Sequence, residues 1–213
     1  VTVEDRIYRR WNRAVKRAAD LGVGTLLVLL TSPVLLPLVL VVAVAISLES
    51  PGPVLFRQRR VGKGGRPFSM LKFRSMCEEA EELRQELADL NDAQGPLFKM
   101  RQDPRVTRVG RIIRRYSIDE LPQLINVFKG NMALVGPRPP LLSEVELYQN
   151  WQTRRFDVQP GIVGLPQVSG RSRLTFDEVI RLDLYYIDNW SLLMDLKILM
   201  KSIPAVLHGR GAY

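Results

Sequence analysis

Hydrophobicity along the chain is concentrated in one place. From Leu21 to Leu48 run 28 residues without a charge, enough at 1.5 Å per residue for a helix of about 42 Å, more than the ~30 Å hydrocarbon core of a bilayer. Inside that run stands "LLTSPVLLP", Leu29–Pro37. Pro33 cannot donate to the carbonyl of Leu29 and its ring collides there, so the helix bends or breaks, and Pro37 repeats the insult one turn later. Thr31 and Ser32 carry hydroxyls that can serve the freed carbonyls. The pattern predicts two arms, Leu21–Thr31 and Val34–Leu48, neither of which spans comfortably alone. They meet at Ser32-Pro33, and residues 21–48 read as a re-entrant membrane hairpin or, equally from the pattern alone, as one kinked transmembrane helix.

The flanks agree. Residues 1–20 pattern as an amphipathic basic helix for a membrane surface, with Ile7, Trp11, Ala14, Val15 and Ala18 on one side. Arg6 to Arg17 precede the run and Arg57 to Arg74 follow it, and a spanning helix should leave its positive charge mostly on the cytoplasmic side. With both flanks basic, both are expected on that side.

Beyond "ESPGP" (Glu49–Pro53), Val54–Arg60 and Phe68–Phe73 flank the Gly-rich "VGKGGRP" and predict a β-hairpin. Residues 78–92, with seven carboxylates and one arginine, predict a solvated helix, and "GPLFKMRQDPRVTRVG" is irregular. Ser191–Leu207 is apolar enough for an interfacial or a core helix, the core being the safer assignment. The fold class is α+β and mainly helical: a re-entrant helix-hairpin, interfacial helices and a small β-hairpin around a catalytic domain of residues 49–213. The chain starts at Val1 rather than Met, which reads as a piece of a longer or processed protein.

Charge and composition narrow the chemistry. Lys plus Arg number 31 against 22 Asp plus Glu, a formal net charge of +9, which favours phosphorylated substrates, an anionic membrane or nucleic acid. The single cysteine, Cys77, allows no internal disulfide, and the single histidine, His208, leaves no zincin motif or Ser-His-Asp triad. Any catalysis must come from carboxylates, arginines and lysines. Nucleic acid is disfavoured, because the aromatics are not interleaved with the basic runs as stacking platforms.

The stretch richest in chemistry is Arg105–Arg138, "RVTRVGRIIRRYSIDELPQLINVFKGNMALVGPR". Arg105, Arg108, Arg111 and Arg114 recur every three residues, as one face of a helix would present them. In "SIDELP", Ser117 and Glu120 match a capping box, and Asp119 could cap a helix running to Lys129 with Gly130 as its stop. The same carboxylate pair, beside arginines at a helix N-terminus, suits phosphate chemistry: the cations neutralise a phosphate and let an anionic carboxylate approach it. "GPRPP" sets Arg138 on a proline-stiffened loop with little entropy to lose on gripping an oxyanion.

At these residues the chain resembles a known family, the bacterial sugar transferases called monotopic phosphoglycosyl transferases or polyprenyl-phosphate hexose-phosphate transferases. The matching pieces are "DLGVGTLLVLLTSPVLLP", "GPVLFRQRRVGKGGRPFSMLKFRSM", "DPRVTRVGRIIRRYSIDELPQLINVFKGNMALVGPRPP", "QPGIVGLPQVSGRSRLTFDEVIRLDLYYIDNW" and "DLKIL", in order over nearly the whole chain.

The resemblance implies a protein on the cytoplasmic face of the bacterial inner membrane, held by a re-entrant hairpin broken at Ser32-Pro33. It implies transfer of a sugar-1-phosphate from a UDP-sugar to undecaprenyl phosphate with release of UMP, in two Mg²⁺-dependent steps. Asp119 would be the nucleophile and a Mg²⁺ contact, and Glu120 its dyad partner. Lys72, Arg114 and Arg138 would line the phosphate site, with Gln167 and Arg171 of "QVSGR" as nucleotide or sugar contacts. Asp183, Asp188 and Trp190 read as structural. An anionic bilayer is the expected surface and a homo-oligomer is compatible with the sequence. The competing reading is a basic membrane-surface module without catalysis, in which Asp119 is only a cap.

Overall fold

The structure, a computed structural model, describes residues 10–87, 100, 102–170 and 174–207. Residues 1–9 of the expected interfacial helix, 88–92 of the acidic segment, 95–99 of the irregular stretch, and Arg171 lie outside the described residues.

Helix α1 (Arg10–Glu49) is one 40-residue helix with Pro33 and Pro37 inside it. The expected division into two arms is not what the chain adopts, and residues 10–20 join the apolar segment rather than forming a helix of their own. The physical reason is local. Ser32 Oγ donates to the carbonyl of Leu29 at 2.8 Å, the very group that Pro33 cannot serve, and Thr31 Oγ1 donates to that of Leu27 at 2.6 Å. Substitute donors of this kind carry a helix through a proline. By length and composition, Asn12–Glu49 suffices to cross a membrane.

Both ends of α1 dock on the rest of the protein. Near its start, Arg17 donates to the carbonyls of Val127 and Phe128 at 2.6 and 3.0 Å, and Asp20 accepts from the N–H of Leu134 at 3.2 Å. Near its end, Val42 and Ile46 are buried against Phe73 and Ile113, and the Glu49 carboxylate accepts from the N–H groups of Arg108 and Val109 at 2.7 and 3.0 Å. Between these attachments the helix stands clear, with Leu30 and Val34 70% and 72% exposed. The docked face of residues 10–20 also differs from expectation: Lys16 and Asp20 are buried, whereas Ala14 and Ala18 are exposed. Buried ion pairing, described below, outweighs the small apolar area of two alanines.

Strands β1 (Leu55–Val61) and β2 (Pro67–Phe73) form the expected antiparallel hairpin, shifted by one residue, with Phe56 opposite Lys72. Its turn needs Gly64 and Gly65, whose φ of 66° and 73° favour a residue without a side chain. Helix α2 (Ala80–Glu86) follows, then α3 (Arg108–Arg115), capped by Thr107, whose Oγ1 accepts from the N–H of Gly110 at 2.9 Å. Arg105 is therefore not on the arginine face. It is buried before the helix, held by Asp103 at 2.7 and 2.8 Å.

Helix α4 (Gln123–Lys129) stops at Gly130, as its left-handed φ of 82° requires. Strand β3 (Ala133–Val135) then leads into "GPRPP" and α5 (Leu142–Val145), and a 3-10 stretch, Asn150–Asp157, precedes β4 (Gly161–Val163), which pairs parallel with β3. Last come α6 (Leu165–Ser169), α7 (Phe176–Asp188) and α8 (Leu192–Leu207).

Val127, Met132, Val135, Tyr186, Ile187, Trp190 and Ile198 form the main core. Helix α8 is divided rather than buried: Ile198 lies in the core, while Leu193, Leu196 and Met200 are exposed along its other side. With Ile112 and Tyr116 of α3 and Ile125 and Phe128 of α4 also exposed, the surface carries far more uncovered apolar area than scattered single residues would.

Candidate active site

The carboxylates of "SIDELP" sit where α3 turns into α4. Ser117 adopts the left-handed conformation, φ 55° and ψ 22°, the only positive φ outside glycine among the described residues. A left-handed serine costs on the order of 1 kcal/mol, and it redirects the chain so that the short turn Ile118–Glu120 points its acids at β2. The capping reading is not what is observed. Ser117 makes no side-chain cap, and Pro122, not Asp119, is the N-cap of α4. Ile118 and Leu121, the apolar neighbours of the dyad, pack against the buried cluster that Val42 and Ile46 of α1 form with Phe73 and Ile113. The acids therefore lie at the foot of the long apolar helix.

Lys72 joins them. Its Nζ lies 2.8 Å from Glu120 Oε1 and 3.8 Å from Asp119 Oδ2. The register places it by pairing β2 with β1, and Asn126 fixes that strand to α4, accepting from the N–H of Leu71 at 3.0 Å and donating to the carbonyl of Ser69 at 2.8 Å. Asp119 is buried while Glu120 keeps partial exposure.

Their surroundings move the two acids in opposite directions. Burial pushes the Asp119 carboxyl above the usual aspartate range; Lys72 opposes this, Glu120 adds to it, and Arg114 opposes it again. Burial also acts upward on Glu120, but Lys72, by charge and hydrogen bond, together with Arg138 and Gln123, holds it below the usual glutamate range. Adjacent acids separated in this way can take different roles. Arg114 and Arg138 thus sit within electrostatic reach of the pair, which brings five of the expected site residues together: Lys72, Arg114, Asp119, Glu120 and Arg138.

Gln167 is occupied locally on α6, its Oε1 accepting from the N–H of Gly164 and its Nε2 donating to the carbonyl of Ile162 at 3.3 Å. Arg171 lies outside the described residues.

A divalent cation was expected at Asp119. Among the described residues no three His, Cys, Asp or Glu side chains gather as a ligand set. Mg²⁺ is usually held by one or two carboxylates with substrate phosphates and water completing its shell. Asp119 and Glu120 provide that partial set.

Sequence reading missed the scaffold of the arginine loop. Arg155 is buried, donates to Asp183 Oδ2 at 2.6 Å, to the hydroxyl of Tyr148 at 2.7 Å and to the carbonyl of Arg138 at 2.9 Å. Arg60, also buried, donates to the carbonyl of Pro139 at 3.0 Å. Burial pushes the Asp183 carboxyl up to about 6, with Arg155 pulling against it. The one sequence signal for Asp183 is its place on α7 in the i, i+3, i+4 row of buried residues Ile180, Asp183 and Ile187.

Known proteins resemble this chain over most of its length. A family model described as "Bacterial sugar transferase" matches residues 11–209. The chain is 49% identical over 162 residues to the galactosyl transferase CpsE of Streptococcus agalactiae serotype III, covering 76% of this chain and 36% of that protein. It is 39% identical over 202 residues to the exopolysaccharide production protein ExoY of Rhizobium meliloti, covering 93% and 88%. It is 37% identical over 219 residues to the undecaprenyl-phosphate galactose phosphotransferase of Salmonella typhimurium, covering 99% and 44%. The chain thus spans less than half the length of the first and third of these relatives and most of the second.

Proposed function

The chain belongs to the bacterial sugar transferase family, and on that premise we propose that it transfers a sugar-1-phosphate from a UDP-sugar to undecaprenyl phosphate, releasing UMP. The work would be done on the cytoplasmic face of the bacterial inner membrane, as the membrane step that begins an exopolysaccharide, capsule or related glycan. The observation that carries this reading is the pair Asp119 and Glu120, ion-paired to Lys72 and seated on residues that pack against the long apolar helix. A phosphate-handling centre at the root of a lipid-facing helix suits a water-soluble donor and a lipid-borne acceptor. The name of one relative, an undecaprenyl-phosphate galactose phosphotransferase, supports the polyprenyl-phosphate acceptor and the transfer of a sugar phosphate.

In the proposed mechanism an Asp119 oxygen attacks the sugar-bearing phosphorus of the donor. A P–O bond to Asp119 forms, the P–O bond to UMP breaks, and the electron pair leaves with UMP. An oxygen of undecaprenyl phosphate then attacks the same phosphorus and Asp119 departs as a free carboxylate. Asp119 attacks as a carboxylate, which needs no base, and Lys72 and Arg114 beside it draw its carboxyl toward that ionised form against the effect of burial. Lys72, Arg114 and Arg138 offset the charge that would repel an anionic nucleophile from a diphosphate and stabilise the leaving UMP. Asp119 and Glu120 would hold Mg²⁺, which when bound neutralises phosphate charge. Glu120, held toward its ionised form by Lys72, would help hold that cation.

Incubating the purified chain with undecaprenyl phosphate, Mg²⁺ and a panel of UDP-sugars tests the reading. UMP should accumulate with one or a few of the sugars and only with the polyprenyl phosphate present at catalytic turnover. No UMP from any donor would refute it.

The re-entrant topology forms part of the proposal. Attachment of both ends of α1 to one protein body favours both flanks on one side of the membrane. Single cysteines at Arg13 and Arg59, in a Cys77→Ser background, should label from the same side of sealed vesicles. Labelling from opposite sides would make α1 a spanning helix.

A further inference from the structure

The loop that carries Arg138 is held in an unusual way. Pro137, Pro139 and Pro140 have no N–H, so the segment is tied down chiefly through its carbonyls. Each carbonyl from Pro137 to Pro140 accepts one hydrogen bond: from Gly161 N–H at 2.9 Å, Arg155 Nη2 at 2.9 Å, Arg60 Nη1 at 3.0 Å and Val61 N–H at 2.9 Å, in that order. The bond at Arg138 itself comes from Arg155, which is itself fixed between Asp183 and the Tyr148 hydroxyl. The Arg138 side chain is left exposed while its backbone is clamped.

The clamp is a poor device for stability. Arg155 is 5% exposed and Asp183 1%, and a pair so buried loses much of its attraction to desolvation. Arg155 Nε is buried without a partner among the described residues, a further cost that a purely structural arginine would be expected to avoid. Ideal packing could fill the site with apolar residues; what an arginine offers here is a rigid fork that reaches a backbone carbonyl and an acid at once.

We propose that Arg155, oriented by Asp183 and Tyr148, is a positioning residue that aims the Arg138 guanidinium at the phosphate site. It acts through the carbonyl of Arg138 and touches no substrate. The proposal rests on the reading of Arg138 as a phosphate-binding residue of a sugar-phosphate transferase.

Four full-length proteins test it: wild type, Arg155→Lys, Arg138→Lys and the double variant, each assayed for kcat/KM with the UDP-sugar by UMP release. Arg155→Lys keeps the charge beside Asp183 and loses the fork. It should lower kcat/KM about tenfold in the wild-type background, since misplacing a catalytic group by 1 Å can cost ~10²-fold. With Arg138 already replaced by Lys, the same change should cost less than about twofold, because the group being aimed is gone. Equal losses in the two backgrounds would make Arg155 a scaffold residue and overturn the proposal while leaving the transferase reading intact. A wild type inactive with every donor would instead overturn the transferase reading and this inference with it. Should Arg155→Lys not fold, the cycle is run with Tyr148→Phe, which removes one partner of Arg155 and keeps the Asp183 ion pair; the same two patterns decide.

Discussion

Asp119→Asn is expected to reduce UMP release by at least about 10³-fold while the melting temperature stays level or rises. Removing an attacking side chain costs on the order of 10³ to 10⁶ in rate, and an amide is neutral and far less nucleophilic. The stability half of the prediction follows from the sign of the pKa shift. The folded state holds the Asp119 carboxyl above its ordinary range, chiefly by burial and against the pull of Lys72. A raised carboxyl pKa means that the ionised form is less favourable folded than unfolded, so at neutral pH the charge opposes folding. Asn removes that charge and the repulsion of Glu120 with it. Intact-mass analysis of wild type given UDP-sugar without undecaprenyl phosphate should show a phosphosugar adduct that the variant lacks. Turnover near the wild-type rate in Asp119→Asn would end the covalent mechanism.

Lys16→Met is expected to have the largest effect on stability. Lys16 Nζ lies 2.9 Å from Asp195 Oδ2 and 3.4 Å from Asp20 Oδ1, with all three residues buried. Asp195 also accepts from the Tyr186 hydroxyl at 2.7 Å and from Trp190 Nε1 at 3.1 Å. The cation is therefore the single positive partner shown for two buried acids. Removing one member of a buried pair costs about 3–5 kcal/mol, because an unpaired buried charge is left behind. For a folding domain of this size that is several degrees in melting temperature. Thermal melts in detergent check it, and Lys16→Met combined with Asp195→Leu should recover part of the loss. A Lys16→Met protein as stable as wild type would mean that water reaches the cluster and screens it.

The sequence made the local features legible and hid the distant ones. The hairpin showed itself through two apolar runs around a turn whose glycines need positive φ, and Gly130 marked the end of α4 for the same reason. Ser32 was recognisable as the donor for the carbonyl abandoned by Pro33, three residues away in the chain. The proline rule nonetheless led to two helices where one exists, because a single well-placed hydroxyl was enough to keep the path helical. Strands β3 and β4, three residues each, are too short for alternation to register. In the site, Asp119, Glu120 and the arginines came from one contiguous stretch, and Lys72 from the family pattern. Arg155, Lys16 and Asp195 were invisible for a different reason. Charged residues usually lie on surfaces, and nothing local distinguishes one whose partner waits 28 or 179 positions away.

That last separation bears on how the protein is made. At ~5–20 residues per second, a ribosome needs about 9–36 seconds to go from Lys16 to Asp195, the 179 positions that the contact bridges. Through the later part of that interval the apolar segment is already made, while the acid that will fasten its first end does not yet exist. During that interval its orientation cannot draw on Asp195, whereas the basic residues on both flanks and the prolines at its centre are already in place. Closure by Asp195 comes afterwards, as a latch on a choice already made. Nascent chains halted before residue 195 should therefore show the same labelling side as the finished protein, and differ from it only in how easily the start of α1 is pulled free.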